Sequence, residues 1–248
     1  MATDSRLTGF GTWDCGPKLL ALPRGDAALC FAGHTLYAYP IMIQAVAAIN
    51  QHARLLSRAM DLHDLKGHLL RVLNSMIELM REIPDGQETP DVLFLLAGWS
   101  WRKSKFVSWT LHYDSNIGRF TFRPGRRWAG AENDKYLTFI GDYYEPFKER
   151  LVELLRSKKK LARGGFDMEP FEVLRDMIRS NDFSSIGGAP QIMKVYKHMN
   201  CVPYALFWPS GEAQKVSLLG RPLLDYEKSQ YLVLDPDSLK TIKHVELA

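Results

Sequence analysis

Residues 18–32 leave the backbone few choices. Lys18-Leu19-Leu20-Ala21-Leu22 and the apolar run 27–32 are separated only by Pro23-Arg24-Gly25-Asp26. Two short apolar runs around such a turn predict a β-hairpin, because Pro presets one turn dihedral and Gly accepts conformations that other residues resist. Upstream, Met1-Ala2-Thr3 reads as the middle of a strand, followed by the turn-forming Gly9, Gly11, Gly16 and Pro17. Downstream, the hairpin ends in Ala32-Gly33-His34-Thr35 and a helical pattern starts at once. A strand that closes on small residues and runs straight into a helix lets the backbone come close to a ligand.

Apolar residues at Leu36, Tyr37, Ile41, Met42, Ala45, Val46 and Ile49 recur at helical spacing and predict a mostly buried helix over 36–54. Pro40 is tolerable only in a first turn, which places the start near Leu36. A second helix is predicted over 62–81 through Leu65, Leu69, Val72, Leu73, Met76, Ile77 and Met80, stopped by Pro84-Asp85-Gly86. The middle reads as β-structure: 91–98, then 105–113 with Val107, Trp109, Leu111 and Tyr113 sharing a face, then 119–123. A charged, glycine-rich loop over 124–133 and a short strand over 136–141 follow. Helices are predicted over 145–160 and 170–180, broken around Arg163-Gly164-Gly165-Phe166. Strands over 191–197 and 202–208 form a hairpin turning at Asn200, and 214–219 and 229–234 supply the last strands. Taken alone, this order supports a mixed α/β or α+β protein.

At 248 residues the chain suits one large domain or two small ones. Apolar content of 46% with 24% charged residues excludes general disorder. A net charge of +4 is mild, and binding to nucleic acid needs a clustered patch that a total does not reveal. There is no apolar run near eighteen residues and no signal peptide, so the chain reads as cytoplasmic, without a membrane partner. Cys15, Cys30 and Cys201 are odd in number and far apart, which predicts reduced structural thiols.

The early succession resembles the proteasome-type N-terminal-nucleophile hydrolases. An Ala-Asp-Ser-Arg-like string is matched by Ala2-Thr3-Asp4-Ser5-Arg6, a Lys-hydrophobic run by Lys18-Leu19-Leu20, and an Ala-Gly before the first long helix by Ala32-Gly33. The resemblance implies a single α+β domain over 1–248: a four-layer αββα sandwich, with two antiparallel sheets between helix pairs. It also implies threonine-type peptidase or amidohydrolase chemistry. Asp4 would hold Lys18, Lys18 would tune the nucleophile electrostatically, and the Gly33 N–H would bind the oxyanion. The family's Asp-x-x-Ser-Gly-Gly is similar to Asp182-Phe183-Ser184-Ser185 followed by Ile186-Gly187-Gly188, so Asp182 and Ser185 are the candidates for supporting the nucleophile's amine. This sequence departs from the pattern at Ile186, and at Gly141-Asp142, where the family has Gly-Ser.

In that family the nucleophile heads a strand that would precede Met1, and Thr3 sits a strand away from where Asp4 and Lys18 point. The chain as it stands is therefore expected to lack peptidase activity. The alternative reading is a non-catalytic scaffold or interaction subunit, which the two departures favour. The resemblance further implies a homo- or hetero-oligomer, a ring included, a peptide or protein substrate, a separate ATPase partner, and no cofactor. His63 and His68 are five apart and do not share a helix face as two metal ligands would. The cations over 156–163, with Arg123, Arg126 and Arg127, read as a solvated helix end rather than a phosphate-binding patch, so nucleic acid is not an expected partner. Trp99 and Trp101 lie at a strand end, where they could stack on bases or pack at an interface.

Overall fold

The computed structural model describes residues 1–9, 11–81, 89–126, 128, 136–161, 165–213 and 215–243. Along the chain run β1 (Ala2–Thr3), β2 (Leu7–Thr8), β3 (Thr12–Trp13), β4 (Leu19–Ala21), β5 (Ala27–Gly33), α1 (Thr35–Gln51), α2 (Ala53–Leu56) and α3 (Leu62–Glu78). There follow β6 (Val92–Ser100), β7 (Lys105–Asp114), β8 (Arg119–Pro124), α4 (Tyr144–Ser157), α5 (Glu169–Ser180), β9 (Gln191–Tyr196) and β10 (Asn200–Phe207). The last strands are β11 (Val216–Leu218), β12 (Arg221–Pro222), β13 (Leu232–Leu234) and β14 (Thr241–Lys243). The elements group into two units, Met1–Leu19 with Arg126–Lys194 and Val202–Ala248, and Leu20–Gly125 with Val195–Cys201.

The second unit is built on the sheet β4-β5-β6-β7-β8. In β6, buried Val92, Phe94, Leu96, Gly98 and Ser100 alternate with half-buried neighbours, the period-two pattern of a strand with one face on a core. That face receives α1 and α3. Helix α3 contributes Leu62, Leu65, Leu69 and Leu73, all at most 2% exposed. It starts at Asp61 in a capping box with Asp64, which satisfies two helix-end N–H groups that would otherwise lack partners. Strand β8 is an edge. Asn74 of α3 covers it by accepting from the Phe120 N–H at 2.7 Å and donating to the Phe120 carbonyl at 3.1 Å.

The turn 23–26 carries the prediction further than expected. Arg24 and Asp26 fold inward as a fully buried pair, Nε to Oδ1 at 2.6 Å and Nη2 to Oδ2 at 2.9 Å, and Nη2 also donates to the Met60 carbonyl at 2.8 Å.

The first unit holds the sheet β1-β9-β10-β11-β12, with β13 on β10 and β14 on β13, and the separate two-stranded ladder β2-β3. Helices α4 and α5 pair through Phe147, Leu151, Leu155, Val173 and Met177. Phe171 of α5 packs on Leu206 and Leu234, on one face of the sheet. Ala205, Phe207, Val216 and Val233 form a second cluster on the other face.

The expected four-layer αββα sandwich is not what the chain adopts. Among the described residues it is a strand-rich α+β protein, with fourteen strands in three sheets and five α-helices. Nor is the larger sheet purely antiparallel, because β13 runs parallel to β10. The reason lies in segment length. Strands of two or three residues such as β2, β3, β12 and β14 are too short to display a periodicity, so the sequence pattern undercounts them.

Smaller corrections follow the same logic. The helix expected over 36–54 breaks at His52, whose φ of −104° and ψ of 93° are extended, leaving α2 as a separate turn. Pro40 sits inside α1, which begins at Thr35. Its missing N–H would have bonded the carbonyl of Leu36, a residue 56% exposed, so water can take that role. Residues 137–140 form no strand; only Tyr136 makes a bridge. The helix stop at 84–86, the loop residues Arg127 and 129–133, and the break at Arg163-Gly164 lie outside the described residues.

Candidate functional site

In the first unit the chain turns sharply after β1, and Asp4 organises the turn. Its Oδ2 accepts from the Arg6 N–H at 2.9 Å, the short-range bond that lets Asp fix a turn, and from the Gly187 N–H at 3.2 Å. Its Oδ1 accepts from Lys18 Nζ at 2.8 Å. Both side chains are largely withdrawn from water, Lys18 being 12% exposed and Asp4 7%. Asp4 is the only hydrogen-bond partner of the ammonium among the described residues, which leaves two of its three N–H donors unused.

Gln191, at the start of β9, holds the two strand ends together. Its Oε1 accepts from the Lys18 and Leu19 N–H groups, both at 3.1 Å. Its Nε2 faces the Gly16 carbonyl at 2.7 Å, and the Asp4 carbonyl and Ser5 Oγ at 3.2 Å each. The Ser5 N–H donates to the Gly187 carbonyl at 2.9 Å, and Ser5 Oγ donates to the Ala189 carbonyl. Gly188 has φ of +70°, and an added Cβ would collide with the Asp14 carbonyl, so only glycine fits. Arg6 grips Asp14 through two bonds, at 2.7 and 3.0 Å. Gln191 and the Arg6–Asp14 pair were not legible as a site. A lone Gln opening a strand carries no signal until the fold brings β1 and β9 together.

Of the candidate residues, Asp4 and Lys18 meet directly. Ser185 Oγ donates to Asp142 Oδ2 at 3.0 Å, joining two positions that the resemblance singles out. Tyr143 lies beside them, its phenol drawn below the ordinary range by hydrogen bonds with Ser184 and Ser185. Asp182 is not drawn into this group; it forms an exposed ion pair with Arg150 at 3.5 Å.

Gly33 belongs to the second unit, where it ends β5 with φ of +101°. The His34 N–H bonds the Asp91 carbonyl at 2.7 Å, and Gly33 is registered against Val92. Antiparallel ladders alternate bonded and non-bonded pairs, so the Gly33 N–H points away from β6. The residue is exposed, and β4 lies on the other side of β5.

The second unit contains another polar cluster that the sequence did not reveal. Asp61 is fully buried and accepts from Ser100 Oγ at 2.9 Å, from the Arg102 N–H at 3.3 Å, and sits 3.0 Å from His63 Nδ1. Burial alone would raise its pKa. The bonds from His63, Ser100 and Arg102 outweigh that and hold it at about 2. His68 meets instead the ring of His52, 5.4 Å away. Among the described residues no three His, Cys, Asp or Glu side chains converge as a metal site, and the three cysteines are free thiols.

No protein-family model matches the sequence, and no curated protein sequence matches it. No helix among the described residues is long and apolar enough to cross a membrane.

Proposed function

We propose that Asp4 and Lys18 are the electrostatic element of a homologue of the proteasome-type threonine peptidases and amidohydrolases. The observation that carries this reading is the largely buried Lys18–Asp4 contact of 2.8 Å, the ammonium having no second hydrogen-bond partner among the described residues. An ammonium hydrogen-bonded to a carboxylate in partly dry surroundings stabilises an oxyanion forming on a hydroxyl placed against it. Ser185, hydrogen-bonded to Asp142, would hold the nucleophile's amine.

No hydroxyl or thiol among the described residues hydrogen-bonds Lys18 Nζ. The polypeptide of 248 residues is accordingly expected to hydrolyse no peptide above background. The test is the N-terminal residue and intact mass of the protein expressed from its native locus, assayed with a fluorogenic peptide panel. A longer mature chain opening on Thr, Ser or Cys that cleaves peptides, and loses that rate in Lys18→Ala, supports the reading. An active chain whose rate survives Lys18→Ala sinks it.

A second reading, a non-catalytic subunit that assembles with others, is favoured by Asp182. The position that should support an amine is occupied by a residue paired outward with Arg150, and Asp142 puts a carboxylate where the resemblance expects a hydroxyl. Light scattering on the purified chain distinguishes a multimer from a monomer, and co-purification with an ATPase tests the partner that the resemblance implies.

A further inference from the structure

The β6–β7 hairpin closes with Trp101-Arg102-Lys103-Ser104, in which Ser104 takes the left-handed conformation at φ of +49°. This tip is held rigidly. Ser100 Oγ and the Arg102 N–H both donate to buried Asp61, the Lys103 N–H donates to Ser100 Oγ at 3.2 Å, and Arg102 Nη2 pairs with Asp64 at 3.0 Å. The N-terminus of α3 thus anchors the loop from below, while the Trp101 indole stays 42% exposed. Trp101 is one wall of an open pocket whose other walls are Leu56, Ser57, Arg58 and Met199.

Arg58 of the pocket wall and Lys103 and Lys105 of the adjoining hairpin have no carboxylate partner among the described residues. Arg58 sits in the left-handed region at φ of +64°, an uncommon place for a non-glycine residue. One guanidinium nitrogen donates to the Met199 carbonyl at 3.1 Å, and the rest of the group has no hydrogen-bond partner among the described residues. Lys103 and Lys105 are exposed and pair with no carboxylate among the described residues. Lys66 lies over the Phe122 ring at 3.3 Å; its pKa is lowered, first by burial and then by the charge of Lys103. Arg102 stands over the Trp101 ring at 5.7 Å, and Asp64 is its only carboxylate partner among the described residues.

We infer that this pocket binds a nucleotide unit of single-stranded nucleic acid, the base stacking on Trp101, the adjoining phosphate taken by Arg58, and phosphates further along the strand met by Lys103 and Lys105 of the same hairpin. The chemistry follows from the arrangement. An indole in the wall of a concavity receives a planar ring, the remaining Arg58 donors receive a phosphate beside it, and the lysines of the same hairpin receive phosphates farther along the strand. Insertion into a membrane would instead call for a convex apolar tip. Preorganisation by Asp61 limits the ordering that binding has to impose. This inference is independent of the Asp4–Lys18 reading, since it uses none of those residues.

The test is fluorescence anisotropy of labelled ten-nucleotide dT and rU strands with the full chain at 50 and 200 mM KCl. Free dTMP, and vesicles of phosphatidylserine and phosphatidylcholine, serve as separate probes. Strand binding that weakens with salt is expected, with Trp101→Ala weakening it about tenfold. Arg58→Gln and Lys103→Glu should each weaken it severalfold and flatten the salt dependence by about one phosphate contact. Trp101→Phe should restore most of the Trp101→Ala loss, which separates stacking from misfolding. Trp13→Ala, at an indole 67% exposed in the first unit, should bind like the parent. Displacement of the strand by dTMP alone would support a mononucleotide as the ligand. Absence of strand and dTMP binding at 50 mM KCl would overturn the inference. So would an undiminished Trp101→Ala, or binding to vesicles without binding to strands.

Discussion

Asp4 accepts three hydrogen bonds, and only one of them comes from a cation. Asp4→Asn therefore leaves a largely buried Lys18 without its counter-charge, at an expected loss of about 3 kcal/mol in urea unfolding. The double variant Asp4→Asn/Lys18→Met should recover most of that loss, because no uncompensated charge remains. A cycle showing no coupling would mean that the pair is no more than a solvated contact. Cys201 gives a second single-residue expectation. Burial, reinforced by the charge of Asp26, pushes its thiol up to about 11. At pH 8 about one thiol in a thousand is then ionised, so iodoacetamide should leave Cys201 largely unmodified until the pH approaches 10. Rapid labelling at pH 8, read by peptide mass, would contradict this. Asp4 and Lys18 were singled out by the resemblance, and the structure shows that they touch. Gln191 and Asp61 were not, since a polar residue reveals its partners only after distant strands and loops close on it.

Among the elements, α3 carries the most weight in the second unit, and its pattern was plain in the sequence. Leu69, 1% exposed, faces the sheet, and Leu69→Ala should cost about 2–5 kcal/mol through lost burial and the cavity left behind. Asn74 on the same helix has a different role. It satisfies both backbone groups of Phe120 on the edge strand β8, so Asn74→Ala should destabilise by about 1–3 kcal/mol and speed amide exchange at Phe120. An unchanged exchange rate would show that water replaces the clamp. The helices and the meander β6-β7-β8 were readable because nine- and ten-residue strands show their alternation. The break at His52 was not, because the apolar spacing continues across it into Leu55, and only the backbone reveals the change of direction.

Over the whole chain, stability should fall with acid in two stages. Burial lowers the pKa of His68 and His112, so the unfolded chain takes up their protons first and stability declines gently as pH drops through about 6.5. Below about pH 4 the decline steepens. Asp61 at about 2 contributes stability that is complete above its unfolded value and disappears as pH falls toward 2, about 2 kcal/mol in all. Asp14, Glu169, Asp235 and Asp237 are also lowered and act in the same sense. Thermal melts from pH 8 to pH 2 check this, and Asp61→Asn should flatten the acid limb while lowering the plateau; a limb unchanged in that variant would move the effect elsewhere. By itself the sequence determined a mixed α/β or α+β chain of two long helices, a helix pair and several hairpins, because periodicity and turn chemistry act over a few residues. The tertiary structure decided how many strands form and in which sheets. It also decided that Arg24 and Asp26 turn inward, and that Trp101 shares a pocket wall with Arg58. Those outcomes depend on which surfaces meet, and contacts between residues far apart in the chain leave no local pattern to read.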